Sequence, residues 1–296
     1  MRIALAFAAC VLIWGSTWYA IEWQLGYVAK EWSLVYRYAI AAVIMLGWCR
    51  FKRVNMRFSG REHIHMLGLG LFLFSGNYVL VYWGTEYLTS GLVAVTFSLL
   101  TFLNIVNARV FLNTPIQKET ILAALLGVLG LALVFKPEIQ ALNLSDTTAF
   151  GLLVCLISTL IASWGNTIAG TKTAKSIPIL PFNTWSMGYG TLCNLLFALM
   201  SGEAPSLDPR PEYYLALFHL SVFGTVIAFS LLLWLLAEIG VARAGYIAVM
   251  TPLVALIISS VFEGYIWTGF AATGVALMLS GNLLMVVQHR KAPAKA

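Results

Sequence analysis

Charged residues are scarce in this sequence, and their scarcity excludes an ordinary water-soluble protein. Asp, Glu, Lys and Arg form 10% of the 296 residues, whereas hydrophobic residues form 60%. Soluble domains have about 25% charged residues and about 45 to 50% apolar residues. The composition therefore predicts an integral membrane protein whose surroundings are the lipid bilayer.

Cysteine and histidine are also rare, with four of each, and their positions exclude most catalytic chemistry. The cysteines all fall in apolar stretches, where no disulfide is expected. The histidines lack metal-ligand spacing, and the sequence has no HExxH motif, no paired intramembrane aspartates and no Gly-rich phosphate loop. We therefore expect no enzyme, no metal site and no cofactor. The residues are Cys10, Cys49, Cys155, Cys193, His63, His65, His219 and His289.

Long connections are missing as well, which leaves little room for a sensor's output domain or an obligate protein partner. Ten apolar stretches approach the roughly 20 residues that a bilayer core requires. We predict an all-α integral membrane protein with ten transmembrane helices, of which only one is interrupted by a proline, Pro252. The stretches are 3–24, 33–49, 64–83, 89–111, 120–136, 149–170, 179–200, 213–236, 243–262 and 267–287.

The net charge of +6 is explained by topology rather than by a nucleic-acid partner. When the 18 Lys and Arg residues are sorted by alternate connections, 14 fall on one side of the membrane and 4 on the other. The positive-inside rule places the richer side in the cytoplasm. We predict a bacterial inner-membrane protein with both termini in the cytoplasm.

An internal repeat divides the chain into two halves. Trp14-Gly15-Ser16-Thr17 returns as Trp164-Gly165-Asn166-Thr167, with the Trp and the Thr displaced by the same 150 residues. The halves, 4–135 and 149–287, would each hold five helices. After an odd number of helices the second half begins on the opposite side of the membrane, so the two copies have inverted orientations. Such inverted repeats surround a central transport site.

The motif Trp14 to Thr17, the segment Arg37 to Ala42 and the segment Gly245 to Glu263 together resemble the drug/metabolite transporter superfamily, EamA type. The resemblance covers nearly the whole chain and implies ten helices in two inverted five-helix copies. It also implies export of small metabolites, amino acids or drugs by alternating access.

The two copies match the family unequally. Each repeat of the family usually carries a Pro in its fourth helix and a Glu about eleven residues later, which the second copy keeps as Pro252 and Glu263. In the first copy Thr101 stands in the place of the Pro, and Leu112-Asn113 in the place of the Glu. We therefore expect the two halves to flex differently.

Polar residues inside the predicted helices are candidates for the substrate pathway, because polar groups facing lipid are costly. Trp14, Thr17 and Trp18 share one face of the first helix, and Trp164 and Thr167 are expected to approach from the sixth. Close helix packing through Gly15 and Gly165 is the alternative. Further candidates for the substrate cavity are Asn77, Tyr78, Thr101, Asn104 and Tyr246.

The fourth predicted helix is the most polar, with Ser98, Thr101, Asn104 and Asn107 each three residues apart. This strip either lines the cavity or forms hydrogen bonds between helices. Aromatic stripes such as that of Tyr78 in the third helix are also more often core than site.

Three residues are candidates for a gate or a hinge: Glu22, Arg37 and Pro252. Arg37 lies about one turn inside the second predicted helix, where it has three alternatives. The first is an ion pair with Glu22, and the second is a bond to a substrate carboxylate. In the third, the side chain extends along the helix so that its charge reaches the outer water. Pro252 removes a backbone hydrogen bond at mid-membrane, which makes a hinge or an inert kink.

Together these features predict a secondary transporter, most simply an exporter, that moves a small amphipathic or zwitterionic metabolite such as an amino acid. Multidrug efflux is the alternative within the same fold. A membrane-embedded enzyme or a sensor is the alternative from another class, and neither has a supporting motif.

Overall fold

The structure, a computed structural model, describes residues 2–113, 115, 118–136, 147–244 and 246–291. These ranges contain helices and no strand. The α-helices are α1 Arg2–Glu22, α2 Lys30–Phe51, α3 Gly60–Leu71, α4 Asn77–Thr85, α5 Ser90–Phe97, α6 Leu100–Leu112, α7 Lys118–Val134, α8 Thr147–Ala169, α9 Lys172–Lys175, α10 Ile179–Met200, α11 Pro211–Phe218, α12 Ala228–Ala244, α13 Tyr246–Phe262 and α14 Gly269–Lys291.

Six helical segments within the described residues are long and apolar enough to cross a membrane, so the chain is built as a multi-pass membrane protein. Three further apolar helices are shorter. α10 has 22 residues, but Asn183, Ser186 and Asn194 make it less apolar. The count of ten therefore stays a prediction. The six long segments are Arg2–Glu22, Lys30–Phe51, Gly60–Thr85, Ser90–Leu112, Thr147–Ala169 and Pro211–Leu232.

Two of these segments contain a π-helix that the sequence pattern did not predict. Segment π1, Phe72–Gly76, joins α3 to α4, and segment π2, His219–Ile227, joins α11 to α12. A π-helix inserts extra residues into a turn and often marks a functional position. Both π-helices lie in the third apolar segment of their half.

Other boundaries also differ from the prediction. The fourth predicted helix is broken between α5 and α6 at Ser98, whose hydroxyl donates to the Val95 carbonyl at 2.7 Å. The predicted connection 237–242 is helical and continues α12 to Ala244. The short helix α9 was not predicted; it begins where the Ala174 amide donates to the Thr171 hydroxyl.

Helices of the two halves interleave in a regular order. α1 packs on α13, α12 and π2, whereas α8 packs on α6, α4 and π1. The pairs α2 with α10, α5 with α13 and α7 with α14 join the halves directly. When the halves are exchanged, the neighbours of α1 become those of α8, and each of the three direct pairs becomes itself.

Small residues permit the closest of these contacts. A Cβ added to Gly130 of α7 would lie 2.5 Å from the Gly274 carbonyl oxygen of α14. At Gly91 of α5 it would lie 2.8 Å from Ser259 of α13. Close backbone approach at small residues is the usual basis of helix association in membranes.

Candidate functional site

Arg37 lies deeper than the sequence suggested. Because α2 begins at Lys30, Arg37 is two turns inside the helix, about 10 Å from its start. The residue is only 3% exposed, so its guanidinium does not reach the outer water. The snorkelling alternative is therefore wrong for this structure.

The alternative that Arg37 pairs with Glu22 is also wrong for this structure. In the part of the chain that the structure describes, the ion pairs are Lys30 with Glu86 and Arg210 with Asp208. Nε and Nη1 of Arg37 are buried, and neither has a hydrogen-bond partner among the described residues. The third alternative for Arg37, a role towards a ligand or gate, stays a prediction.

Tyrosines surround the guanidinium. Its Cζ lies 4.6 Å from the ring centroid of Tyr78 and 5.2 Å from that of Tyr38, which is cation–π distance. Beside it, the Tyr82 hydroxyl donates to Oε1 of Gln24 at 2.5 Å. Tyr82 is fully buried, so its ring belongs to the interior of the helix bundle.

An aromatic path connects this cluster with Trp14. The ring of Trp14 lies 5.4 Å from Phe229, which lies 6.4 Å from Phe74. Phe74 lies 5.7 Å from Tyr38, and Tyr38 lies 5.6 Å from Tyr78. Trp14, Tyr78 and Arg37 are thus joined through rings from both halves of the chain. Phe229 had no signal in the sequence, because its partners are distant in the chain.

Trp14 and Thr17 are held by π2. The Trp14 indole donates to the Gly224 carbonyl at 3.0 Å, and a Cβ on Gly224 would lie 2.7 Å from the Thr17 methyl. The Thr17 hydroxyl donates to the Trp14 carbonyl at 2.7 Å. Its proton is therefore already used inside α1.

Trp164 and Gly165 make the corresponding contacts with π1. Trp164 packs on Phe72 at 5.9 Å, and a Cβ on Gly165 would lie 2.9 Å from that of Leu73. No ring contact or hydrogen bond joins Trp14 to Trp164 among the described residues. The expected direct meeting of these two faces is wrong, because each face packs on the π-helix of the other half.

The polar strip of α6 forms hydrogen bonds with α8. Asn107 is buried and donates to the Ser163 hydroxyl at 2.7 Å. Asn104 is half-buried and accepts from Asn166 at 3.3 Å, a longer bond. Asn107 thus matches the alternative of a bond between helices, whereas Asn104 keeps part of its surface free.

The other predicted cavity residues are dispersed. Trp18 packs on Phe97 at 5.2 Å, and the Thr167 hydroxyl donates to the Ser163 carbonyl at 2.8 Å. Asn77 is buried, and its backbone carbonyl accepts a hydrogen bond from the Ser158 hydroxyl. Thr101 and Tyr246 are half-buried.

Pro252 lies buried inside α13 beside a small void. The void measures about 10 Å³. It is lined by Pro252, by Val95 and Ser98 of the first half, and by Val275, Met278 and Leu279 of α14. The Thr251 hydroxyl donates to the Ile247 carbonyl at 2.8 Å. Because Ser98 and Pro252 line the same void, the break between α5 and α6 lies opposite the proline of the other half.

A larger pocket of about 440 Å³ collects three carboxylates from helix ends. Glu22, Glu86 and Glu263 line it, together with Tyr19, Thr85, Tyr87, Leu88, Thr89 and Phe262. Glu263 accepts hydrogen bonds from the Ser90 hydroxyl and, at 2.8 Å, from the Ser90 amide. This contact ties the end of α13 to the start of α5, and so links the two halves.

The same end of the molecule carries two ion pairs. Nζ of Lys30 lies 2.6 Å from Glu86. In the connection before α11, Arg210 lies 2.6 Å from Asp208 and also donates to the Leu25 carbonyl at 2.9 Å. The hydrogen bonds from Arg210 lower the pKa of the Asp208 carboxyl. The described residues contain no group of three His, Cys, Asp or Glu that could hold a metal ion.

Comparison with known proteins agrees with this architecture. The family model described as the EamA-like transporter family matches residues 1–136 and 149–287. The chain belongs to the EamA-like transporter family. It is therefore a membrane transporter, as the resemblance of its motifs predicted.

Relatives of this EamA-like transporter span nearly its whole length. An uncharacterized transporter of Archaeoglobus fulgidus is 22% identical, over 97% of this chain and 99% of its own. The uncharacterized transporter YyaM of Bacillus subtilis is 23% identical over 91% and 88%. The uncharacterized inner membrane transporter YedA of Escherichia coli K12 is 20% identical over 98% and 92%.

A solved crystal structure supports the fold of this EamA-like transporter. It aligns with a TM-score of 0.69 over 99% of each chain, at 16% sequence identity. At that identity the likeness shows the fold alone. Substrate and direction of transport have to be argued from the residues.

Proposed function

We propose that this EamA-like transporter exports a small amphipathic or zwitterionic metabolite, such as an amino acid, from the cytoplasm by alternating access. The proposal includes ten membrane helices, two inverted five-helix halves and cytoplasmic termini in the bacterial inner membrane. The exchange of neighbour pairs between halves and the two π-helices at matching places support the inverted repeat. The name of the relative YedA supports the inner membrane.

The aromatic path from Trp14 to Tyr78 is the observation that carries the substrate class. The path crosses between the halves. It connects the Trp14 indole through phenylalanine and tyrosine rings to the buried Arg37 guanidinium. Small-molecule sites are largely apolar walls with a few placed polar groups. An amphipathic molecule with one charged end matches such a surface.

Counterflow in proteoliposomes tests the proposal. Liposomes preloaded with one unlabelled amino acid should accumulate the same labelled amino acid, whereas protein-free liposomes should not. A complete panel of amino acids that gives no accumulation above the protein-free control would contradict the substrate class. Energised everted vesicles then test direction, because an exporter loads them.

Multidrug efflux is the second candidate, and the three carboxylates of the larger pocket favour it. Glu22, Glu86 and Glu263 would attract a cationic drug. Lipophilic cations in the same counterflow panel separate the two functions. Accumulation of cations without amino acids would support efflux.

A further inference from the structure

Arg37 is a buried charge that forms no ion pair among the described residues. Two of its nitrogens, Nε and Nη1, have no hydrogen-bond partner among the described residues. Charged side chains in the interior of a membrane protein are costly and usually paired. The neighbouring Glu22 does not offset this cost, since it faces the pocket that also holds Glu86 and Glu263.

A second unpartnered donor lies in the same cluster. Gln24 is fully buried, and its Oε1 accepts the hydrogen bond of Tyr82. Its Nε2 is buried and lacks a partner among the described residues. The unsatisfied nitrogens of Arg37 and Gln24 are all hydrogen-bond donors, and only an acceptor satisfies them.

We propose that Arg37 binds the carboxylate of the transported molecule, with the Gln24 amide as an additional donor. The assignment rests on the proposed function, because it identifies the charged end of the same substrate. A carboxylate oxygen that accepts from Nε or Nη1 would form a charge-assisted hydrogen bond, which is stronger than a neutral one. Tyr38 and Tyr78 lie at cation–π distance from the guanidinium, which fixes the group while leaving donors for the ligand.

The aromatic path sets where the rest of the substrate lies. Tyr38 contacts both Tyr78 and Phe74, and Phe74 leads through Phe229 to Trp14. A substrate with its carboxylate at Arg37 would lay its apolar part along these rings. Amphipathic carboxylates should therefore bind better than equally charged inorganic anions.

Thermal unfolding in detergent tests binding without requiring transport. The probes are an amino-acid panel, the corresponding amino-acid amides, and phosphate, all against chloride at equal ionic strength. At least one amino acid should raise the Tm of the wild type, whereas its amide and phosphate should not. Arg37→Gln should abolish the shift, and Arg61→Gln, which removes an exposed charge at the start of α3, should keep it.

The ligand-free proteins give a second readout. If Arg37 is kept for a ligand, Arg37→Met should raise the Tm without ligand, because it removes an unpaired buried charge. Gln24→Glu keeps the acceptor for Tyr82 and adds a carboxylate beside Tyr82, which itself forms a hydrogen bond with Arg37. It should raise the Tm and abolish amino-acid binding, since the new carboxylate occupies the guanidinium.

Transport completes the test. A charge-assisted hydrogen bond contributes about 1.5 to 3 kcal/mol, which is roughly a 10- to 150-fold rise in KM for Arg37→Gln. Arg37→Lys should recover part of this loss, and Arg61→Gln should behave as wild type.

The outcomes separate the site from the function. An amino-acid shift that persists in Arg37→Gln overturns the site, even if counterflow supports the function. Equal shifts by an amino acid and its amide overturn it as well, and so does stabilisation by phosphate alone. A carboxylate shift that depends on Arg37, in a protein without amino-acid counterflow, supports the site and contradicts the proposed substrate.

Discussion

At the residue scale, burial decides what a polar side chain in a membrane helix does. Asn104 and Asn107 are separated by one turn of α6, and both contact α8. Asn107 is 6% exposed with a 2.7 Å bond to Ser163, whereas Asn104 is half-buried with a 3.3 Å bond to Asn166. The buried residue stabilises the helix pair, and the other has surface left for a ligand.

This difference predicts opposite phenotypes for two similar substitutions. Asn107→Ala should lower the free energy of unfolding by about 0.6 to 1.5 kcal/mol, because it leaves the Ser163 hydroxyl without its partner. Asn104→Ala should change stability less and raise KM by roughly 2- to 10-fold. Chemical denaturation in detergent and counterflow measure the two effects. Equal loss of stability in both variants would assign Asn104 to packing as well.

The Asp208–Arg210 pair gives a prediction that depends on pH. The folded protein lowers the pKa of Asp208 below its ordinary value of 3.8. Its contribution to stability is therefore complete above pH 3.8 and is lost as the pH falls through the lower folded pKa. Asp208→Asn should lower the Tm at pH 7, and the difference from wild type should shrink as the pH falls below 3.8. If the Tm difference between wild type and Asp208→Asn stays constant with pH, the charge of Asp208 does not contribute to stability.

At the element scale, the irregular segments occur where the halves contact each other. π1 packs on α8, π2 packs on α1 and α2, and the break at Ser98 lies opposite Pro252. Regular helices pack as rigid rods, so such interruptions are the natural places for bending. Alternating access requires one bundle to move against the other.

Pro252→Ala tests bending of α13. The substitution restores the backbone hydrogen bond that the proline prevents and should slow the conformational step. The maximal transport rate should fall severalfold with little change in substrate affinity. Electron-resonance distances across the outer mouth should shift towards one facing state. Pro205→Ala, in an exposed connection, is the control, and a normal rate and distance distribution in Pro252→Ala would leave the proline as an inert kink.

At the scale of the whole molecule, the asymmetry of positive charge predicts orientation. Arg57 is expected in the cytoplasm, and the connection from Ser201 to Glu212 outside. Both are accessible for labelling, since Arg57 and Ala204 are exposed. In a variant without cysteines, an impermeant thiol reagent on intact cells should label a cysteine at 204 and not at 57. The reverse pattern would invert the proposed topology.

Much of the architecture followed from the sequence. Most predicted stretches begin and end within a few residues of an observed helical segment, although three of them are divided into shorter helices. The family was recognisable from Trp14 to Thr17, Arg37 to Ala42 and the region around Pro252. Hydrophobic runs and helix ends depend on neighbouring residues, so they are readable locally. π-helices and the break at Ser98 were missed, because they depend on contacts with other helices.

The sequence by itself determined a multi-pass helical membrane protein, its family and the identity of its polar residues, since each follows from composition and local order. Only the tertiary structure decided which of those residues act together. Arg37 lies against Tyr38 and Tyr78 and forms no ion pair with Glu22 among the described residues, whereas Gln24 bonds to Tyr82. The Trp14 indole donates to the Gly224 carbonyl of π2 and does not contact Trp164 among the described residues. Partners distant in the chain are set by helix packing, so packing decides which buried donors find a hydrogen-bond acceptor within the described residues.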